Sequence, residues 1–364
     1  MIKSINPYTQ EVVYEVAEFD KKDIEVAINR ADEQFKYWRE VSFSERAVLM
    51  KAAGNELRIN AQEYARIITQ EMGKPITQSI AEIEKCANLC DYYADHAPEH
   101  LADKVIDTEA YKSYVSYEPI GIVLAIMPWN YPFWQVMRFA VPALMAGNVG
   151  ILKHASNVMQ CADSIQKIFE KAGFPQGCFT NLPIGSKMIE EIIRNPKVKA
   201  VTLTGSEAAG RSVAATAGSE IKKTVLELGG SNALIVFADC NLEQTVKTCV
   251  QARFQNAGQS CIAGKRLLVE EPIAEKFTNA FLKAVKELQP GDPLLKETTI
   301  GTMARVDLAE ELEKQLKNAL DKGAEVLLGG KRNKAYFEPT VVGNVTADMS
   351  VFKEEIFGPV IGIT

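Results

Sequence analysis

The amino-acid sequence predicts an α/β fold of mostly parallel sheets arranged in two domains, and three observations carry that expectation. From about residue 120 onward, short apolar runs alternate with helical patterns. The runs are nearly continuous in apolar residues and end at polar, Gly or Pro positions, as strands covered on both faces do. The 364 residues also exceed the roughly 250 to 300 at which a single core stops growing.

Taken in order, Met1 to Val13 carries Lys3, Asn6, Pro7 and Glu11 in place of a basic head and apolar stretch, so an export signal is not expected and a cytoplasmic location is. From Lys22 to about His96 the apolar spacing is helical, with a capping-box signature in Ser42 and Glu45. His96 and His100 flank Pro98, which argues against a shared helical metal face, and no metal is expected. Asp107 to Glu118 mixes Tyr111, Tyr114 and Tyr117 with polar residues, as a twisted hairpin does. Such an edge invites pairing with another subunit, and a surface hairpin without a partner is equally open.

Strands are expected at Gly121 to Met127, Gly150 to Leu152, Ala200 to Leu203, Ala233 to Phe237, Arg266 to Val269 and Glu325 to Leu328. Helices are expected between them, at Val158 to Lys171, Ser186 to Arg194, Leu242 to Gln255, Ile273 to Leu288 and Val306 to Lys322. The domain boundary falls near Gly229 and Gly230, where one strand-and-helix series closes.

Composition narrows the partners. Apolar residues at 47% and charged residues at 24% fit a globular chain and not a disordered or fibrous one. A net charge of -6 without a block of like charges argues against nucleic acid. The apolar runs Ile120 to Met127 and Phe139 to Leu152 are too short or too interrupted to span a bilayer, which takes ~20 residues. The seven cysteines, odd in number and without a C-x-x-C pair, read as reduced thiols.

Three segments carry chemistry. Asn256-Ala257-Gly258-Gln259-Ser260-Cys261 sets a cysteine among small residues, where an electrophile can approach the sulfur and backbone N–H groups favour a thiolate. A buried packing thiol is the other reading. Glu227 lies in the apolar run Val225 to Leu228 ahead of two glycines, where burial would raise its pKa toward that of a general base, and a turn cap or an ion pair remains open. Asn130, in Pro128-Trp129-Asn130-Tyr131-Pro132 after a strand, is either an oxyanion donor or a turn residue.

Together these segments resemble the aldehyde dehydrogenase superfamily. The resemblance extends from Asn6-Pro7 to Phe357-Gly358-Pro359 and includes the P-W-N turn at 128 to 130, G-S-x-x-x-G from Gly205 to Gly210, E-L-G-G at 227 to 230, G-Q-x-C at 258 to 261 and E-E-x-F-G-P from Glu354. It implies two Rossmann-like α/β domains and an oligomerisation hairpin: residues 1–100 and 120–230 for NAD(P), 101–119 for the hairpin, and 231–364 for catalysis. The chain ends in an apolar strand-like run, so this last domain is expected to be C-terminally incomplete.

The resemblance also implies a mechanism. Cys261 adds to the aldehyde, Asn130 and the Cys261 backbone N–H hold the oxyanion, and a thioester forms that a Glu227-activated water hydrolyses to the acid. Trp129, Lys153, Ser156, Gly205, Ser206, Gly210, Glu355 and Phe357 match cofactor-binding positions. Ser156 stands where strongly NAD-selective relatives carry a glutamate, so NADP is expected to be accepted and preferred over NAD.

Arg138 lies in an otherwise apolar helix pattern after Asn130, and such a charge needs a partner. That partner is either an internal salt bridge or the distal carboxylate of the substrate. Its position matches an arginine of succinate-semialdehyde dehydrogenases, and Glu118 to Asn157 is most similar to the bacterial members of that group. Succinate semialdehyde is therefore the expected substrate, with a homodimer or homotetramer as the assembly. The alternatives are another small aldehyde, an inactive fragment or nucleotide-binding structural protein, and a thiol esterase or acyltransferase.

Overall fold

The computed structural model describes residues 1–364, which form two compact units: 1–4, 14–67 and 80–227 in the first, and 5–13, 68–79 and 228–364 in the second. The second unit runs on from Leu228 and also gathers 5–13 and 68–79. No helix is long and apolar enough to cross a membrane.

The chain opens with the paired strands β1 (Ile2–Ile5) and β2 (Val12–Val16). Four helices follow: α1 (Lys21–Trp38), α2 (Phe43–Ile59), α3 (Ala61–Met72) and α4 (Ile76–His100). The expected capping box starts α2, with Ser42 Oγ accepting from the Glu45 N–H and the Glu45 carboxylate accepting from the Ser42 N–H. Pro98 does not break α4, so His96 and His100 do share a face, with ring centroids 6.4 Å apart. The proline sits in the last turn, so the one hydrogen bond it removes lies at the helix end and no long helical segment follows to be kinked. No third ligand joins the two histidines.

Strands β3 (Lys104–Val105) and β4 (Tyr114–Val115) form an antiparallel hairpin whose Val105, Tyr114 and Val115 are exposed. The main sheet of the first unit follows: β5 (Ile122–Met127), α5 (Trp134–Met145), β6 (Val149–His154), α6 (Met159–Lys171), β7 (Phe179–Asn181), α7 (Ile189–Arg194), β8 (Val198–Gly205), α8 (Glu207–Ser219) and β9 (Lys223–Leu228). Its order is β7-β6-β5-β8-β9, with β5 parallel to both β6 and β8. The chain thus winds outward from β5 on one side and returns on the other, which leaves a crevice beyond the carboxyl ends of β5 and β8.

The second unit contains β10 (Asn232–Val236), α9 (Leu242–Phe254), β11 (Gly264–Val269), α10 (Glu271–Lys286), α11 (Val306–Asp321), β12 (Glu325–Leu328), β13 (Arg332–Asn333), β14 (Tyr336–Phe337), β15 (Thr340–Gly343), α12 (Ser350–Lys353) and β16 (Val360–Ile363). Its sheet order is β10-β11-β16-β15-β12, parallel except where β12 meets β15. Phe254 of α9, Phe277 and Phe281 of α10, Leu267, Val341 and Ile361 fill one buried cluster on this sheet.

Candidate active site

In the first unit, the strand end at Met127 feeds the 128–132 turn, and two buried side chains hold that turn in place. Glu82 of α4 accepts from the Phe133 and Trp134 N–H groups, both at 2.9 Å, and so caps the start of α5 with a carboxylate where the helix dipole favours one. His154, at the end of β6, places Nε2 2.9 Å from the Pro132 carbonyl, while its Nδ1 accepts from the Ala155 N–H at 2.9 Å. Nδ1 also lies 3.2 Å from the Met127 carbonyl, but a neutral imidazole has one N–H, and the shorter carbonyl contact together with the Ala155 N–H on Nδ1 favours it on Nε2, toward Pro132. Burial pushes the His154 pKa down to about 4, which keeps the ring neutral. Asn130 is buried within this turn.

At the neighbouring strand end, Gly205 closes β8 and Ser206 caps α8, its Oγ accepting from the Ala209 N–H; Gly210 is buried inside that helix. A Cβ at Gly205 would meet only Leu203 Cδ2, at 3.7 Å. Lys153 is half-buried near the end of β6, and burial alone lowers its pKa, with no carboxylate of the chain opposing that shift. An unbalanced cation beside an α/β strand end suits an anionic ligand group, so these residues fit a nucleotide. Ser156 is exposed three residues further on.

The first unit also contains a cavity of about 340 Å³, lined by Met127, Gln135, Arg138, Thr204, Lys223 and Glu227 among others. Two residues expected to act separately are paired on it. Arg138 Nη2 lies 3.1 Å from Glu227 Oε1, and Nη1 donates to Gln135 Oε1 at 3.4 Å. Of the two partners foreseen for Arg138, the chain therefore supplies the internal one. The expected burial of Glu227 is not found, since its side chain is 48% exposed. The reason is topological: β9 is an edge strand, and alternate residues along it face outward.

In the second unit, α9 ends at Phe254 and the chain turns sharply before Cys261. Asn256, Ala257 and Gly258 have φ values of 54°, 51° and 72°, three successive left-handed residues of which only the glycine is at ease. Each of the other two stores ~1–3 kcal/mol of backbone strain. A Cβ at Gly258 would also lie 2.3 Å from the Gly358 carbonyl oxygen, so the close approach requires glycine.

Cys261 is partly exposed just after this turn. Its carbonyl accepts from Lys265 Nζ at 2.8 Å and Asn232 Nδ2 at 3.0 Å. Lys265, whose side chain is fully buried, also pairs with Glu355 Oε1 at 2.8 Å, and burial lowers its pKa against the pull of that carboxylate. Gly229 passes so close to Glu355 that a Cβ there would fall 1.9 Å from Oε2. Arg253, wholly buried, donates to the carbonyls of Gly264, Ile356 and Gly358, tying α9 to the segment that holds Glu355 and Phe357. Burial brings its pKa down to about 9, which still leaves it charged at neutral pH.

Glu82, His154, Arg253 and Lys265 were not singled out from the sequence. For Arg253 a weak signal was present, a cation between Ala252 and Phe254 at the end of a helix pattern, whereas Lys265, beside Arg266, offered none. For Glu82 and His154 there was none.

Comparison with known proteins places this geometry. The aldehyde dehydrogenase family profile matches residues 1–364. A probable succinate-semialdehyde dehydrogenase [NADP(+)] of Synechocystis is 45% identical over 362 residues, 99% of this chain and 80% of that protein. The succinate semialdehyde dehydrogenase [NAD(P)+] of Escherichia coli is 46% identical over 99% of this chain and 79% of its own length. The crystal structure of succinic semialdehyde dehydrogenase from Streptococcus pyogenes with NADP+ superimposes with a TM-score of 0.97 at 35% identity, covering 100% of this chain and 81% of that one. The chain belongs to the aldehyde dehydrogenase family.

Proposed function

We propose that this aldehyde dehydrogenase oxidises succinate semialdehyde to succinate, with NADP preferred over NAD. The observation that carries the substrate is Arg138 on the wall of the cavity: a guanidinium has five N–H donors, and Glu227 and Gln135 engage only part of that set. The remainder suits the planar carboxylate at the far end of a semialdehyde acid. The names of the curated relatives support the same substrate.

In this reading the Cys261 thiolate forms a C–S bond to the aldehyde carbon, and the carbonyl electron pair moves to oxygen. The Asn130 amide and the Cys261 backbone N–H donate to that oxyanion. A nicotinamide nucleotide, when bound, supplies the two-electron acceptor that turns the adduct into a thioester. Lys153, Ser156, Gly205, Ser206 and Gly210 hold its adenosine and phosphate half; Trp129, Glu355 and Phe357 hold the nicotinamide half. Glu227 then takes a proton from the water that hydrolyses the thioester, and the Cys261 thiolate leaves. The domain roles follow: nucleotide binding for 1–100 and 120–230, catalysis for 231–364.

The exposed apolar hairpin of β3 and β4 supports assembly through residues 101–119 into a homodimer or homotetramer. The seven free cysteines fit a reducing compartment, the cytoplasm. Steady-state nucleotide reduction with a panel of aldehydes tests the central reading. A kcat/KM for succinate semialdehyde no better than for an uncharged aldehyde of equal length removes the substrate, and a large advantage for NAD removes the cofactor preference.

A further inference from the structure

We infer that Gln78, in the first turn of α4, is a positioning residue for Cys261; the inference rests on Cys261 being the nucleophile. The backbone kink at Asn256 takes that residue's N–H out of the α9 hydrogen-bond ladder, and a backbone donor in this part-buried position needs an acceptor. Gln78 Oε1 supplies it at 2.8 Å. The orientation of the amide is set from its other end, because Nε2 donates to the Thr299 carbonyl at 3.2 Å and so turns the oxygen toward Asn256.

Asn256 is the first of the three left-handed residues that lead to Cys261, and the rest of the turn is laced to it. Gln259 Nε2 donates to the Asn256 carbonyl at 3.1 Å, Asn256 Nδ2 donates to the Gln259 carbonyl at 3.1 Å, and Gln259 Oε1 accepts from the Ala304 N–H at 2.9 Å. Without Gln78, the strained turn loses the side chain that holds its first N–H, and relaxation of Asn256 moves Ser260 and Cys261 with it. A small cavity of about 200 Å³ lined by Gln78, Phe254, Gln255 and Thr299 leaves room beside the amide for that movement.

The test uses the full chain carrying Cys240→Ser, since Cys240 is the other thiol that is not buried. The rate at which iodoacetamide alkylates Cys261 is measured as a function of pH, beside kcat and KM. Gln78→Leu removes both hydrogen bonds and is expected to slow alkylation and kcat about tenfold, with the nucleotide KM unchanged. Gln78→Glu keeps the acceptor for Asn256 and is expected to stay within about threefold of the parent. Ala257→Gly relieves the strain at the second left-handed position and is expected to restore most of the rate in the Gln78→Leu background. Gln78→Asn, which is too short to reach Asn256 but remains polar, is expected to match the Leu variant and replaces it if that protein does not fold. Alkylation at the parent rate in Gln78→Leu or Gln78→Asn overturns the inference. So does a loss that neither Gln78→Glu nor Ala257→Gly repairs, since that marks a merely structural side chain. Alkylation needs no turnover, so this arm is read whether or not the parent oxidises succinate semialdehyde.

Discussion

Arg138 Nη2 stands 3.1 Å from Glu227 Oε1 on the wall of one cavity, so the cation proposed to recognise the substrate also holds the proposed base. The two roles separate on substrate charge. If the guanidinium clamps a distal carboxylate, Arg138→Ala raises KM for succinate semialdehyde by about ten- to a hundredfold and KM for an uncharged aldehyde of similar length by less than about threefold. If it serves only to steady Glu227, both substrates lose kcat alike and neither KM changes selectively. Steady-state kinetics on the two aldehydes decide between them.

Glu227→Gln keeps the shape of the side chain and removes the proposed base. Thioester hydrolysis is then the step that fails, by about 10²- to 10⁴-fold, while the first turnover of nucleotide reduction proceeds. The expected record is a burst of reduced nucleotide, equal to the enzyme present, followed by a slow phase. A variant that loses the burst and the slow phase equally places Glu227 in the earlier step. Since the side chain is partly exposed, water reaches it without any opening of the fold.

Local signals in the sequence account for most of the scaffold. The Ser42 and Glu45 pair marked the start of α2, and six apolar runs marked strands that agree, to within a residue beyond either end, with β5, β6, β8, β10, β11 and β12. The short strands β1, β2, β7, β13, β14 and β15 were among those missed, because two to five residues carry too little periodicity to register. Glu227 was expected to be buried because an apolar run looks the same in an edge strand and a central one, and only the strand order separates them. The ties that fix the site are long-range: Lys265 meets Glu355 across 90 residues of sequence, and Arg253 meets Ile356 across 103. No local pattern reports such partners. Asn256 is of a residue type enriched at positive φ and so offered a weak signal, whereas the left-handed Ala257 offered none.

His154 makes the first unit sensitive to acid. Its folded pKa of about 4 lies below the ordinary 6.5, so between these values the unfolded chain binds the proton that the folded chain refuses. The stabilisation is complete above about pH 6.5, is lost as pH falls through the window, and levels off below about pH 4. In total it amounts to about 3 kcal/mol. In His154→Gln the part of the urea-midpoint shift between about pH 7 and about pH 5 that belongs to this ring disappears. An unchanged pH dependence in the variant shows that other groups carry the acid sensitivity.

Gly229→Ala tests the setting of Glu355. A Cβ at that position overlaps the carboxylate, which Lys265 anchors through its other oxygen, so the carboxylate must move or the Lys265 pair must open. The nucleotide KM is expected to rise about tenfold or more, with Cys261 alkylation in the absence of nucleotide changed by less than about twofold. An unchanged nucleotide KM removes Glu355 from the nucleotide site.

The proposed role of Ser156 is to set the choice between the two nucleotides by charge. It is exposed three residues beyond the half-buried, unbalanced Lys153, so an added 2′-phosphate meets a hydroxyl donor and a nearby cation with no opposing carboxylate at that position. Ser156→Glu places a like charge against that phosphate and a good acceptor against the ribose hydroxyls of NAD. At a partly exposed site, a repulsion of about 1–3 kcal/mol changes the ratio of kcat/KM for NADP over NAD by about ten- to a hundredfold in favour of NAD. The effect should shrink as salt is raised, since exposed charges are screened over ~10 Å at moderate ionic strength. A ratio that Glu leaves untouched, or a shift indifferent to salt, means that the residue does not face the phosphate. Lys153→Met then provides the complementary measurement, because removing the cation should weaken NADP more than NAD only if the ammonium reaches the 2′-phosphate itself.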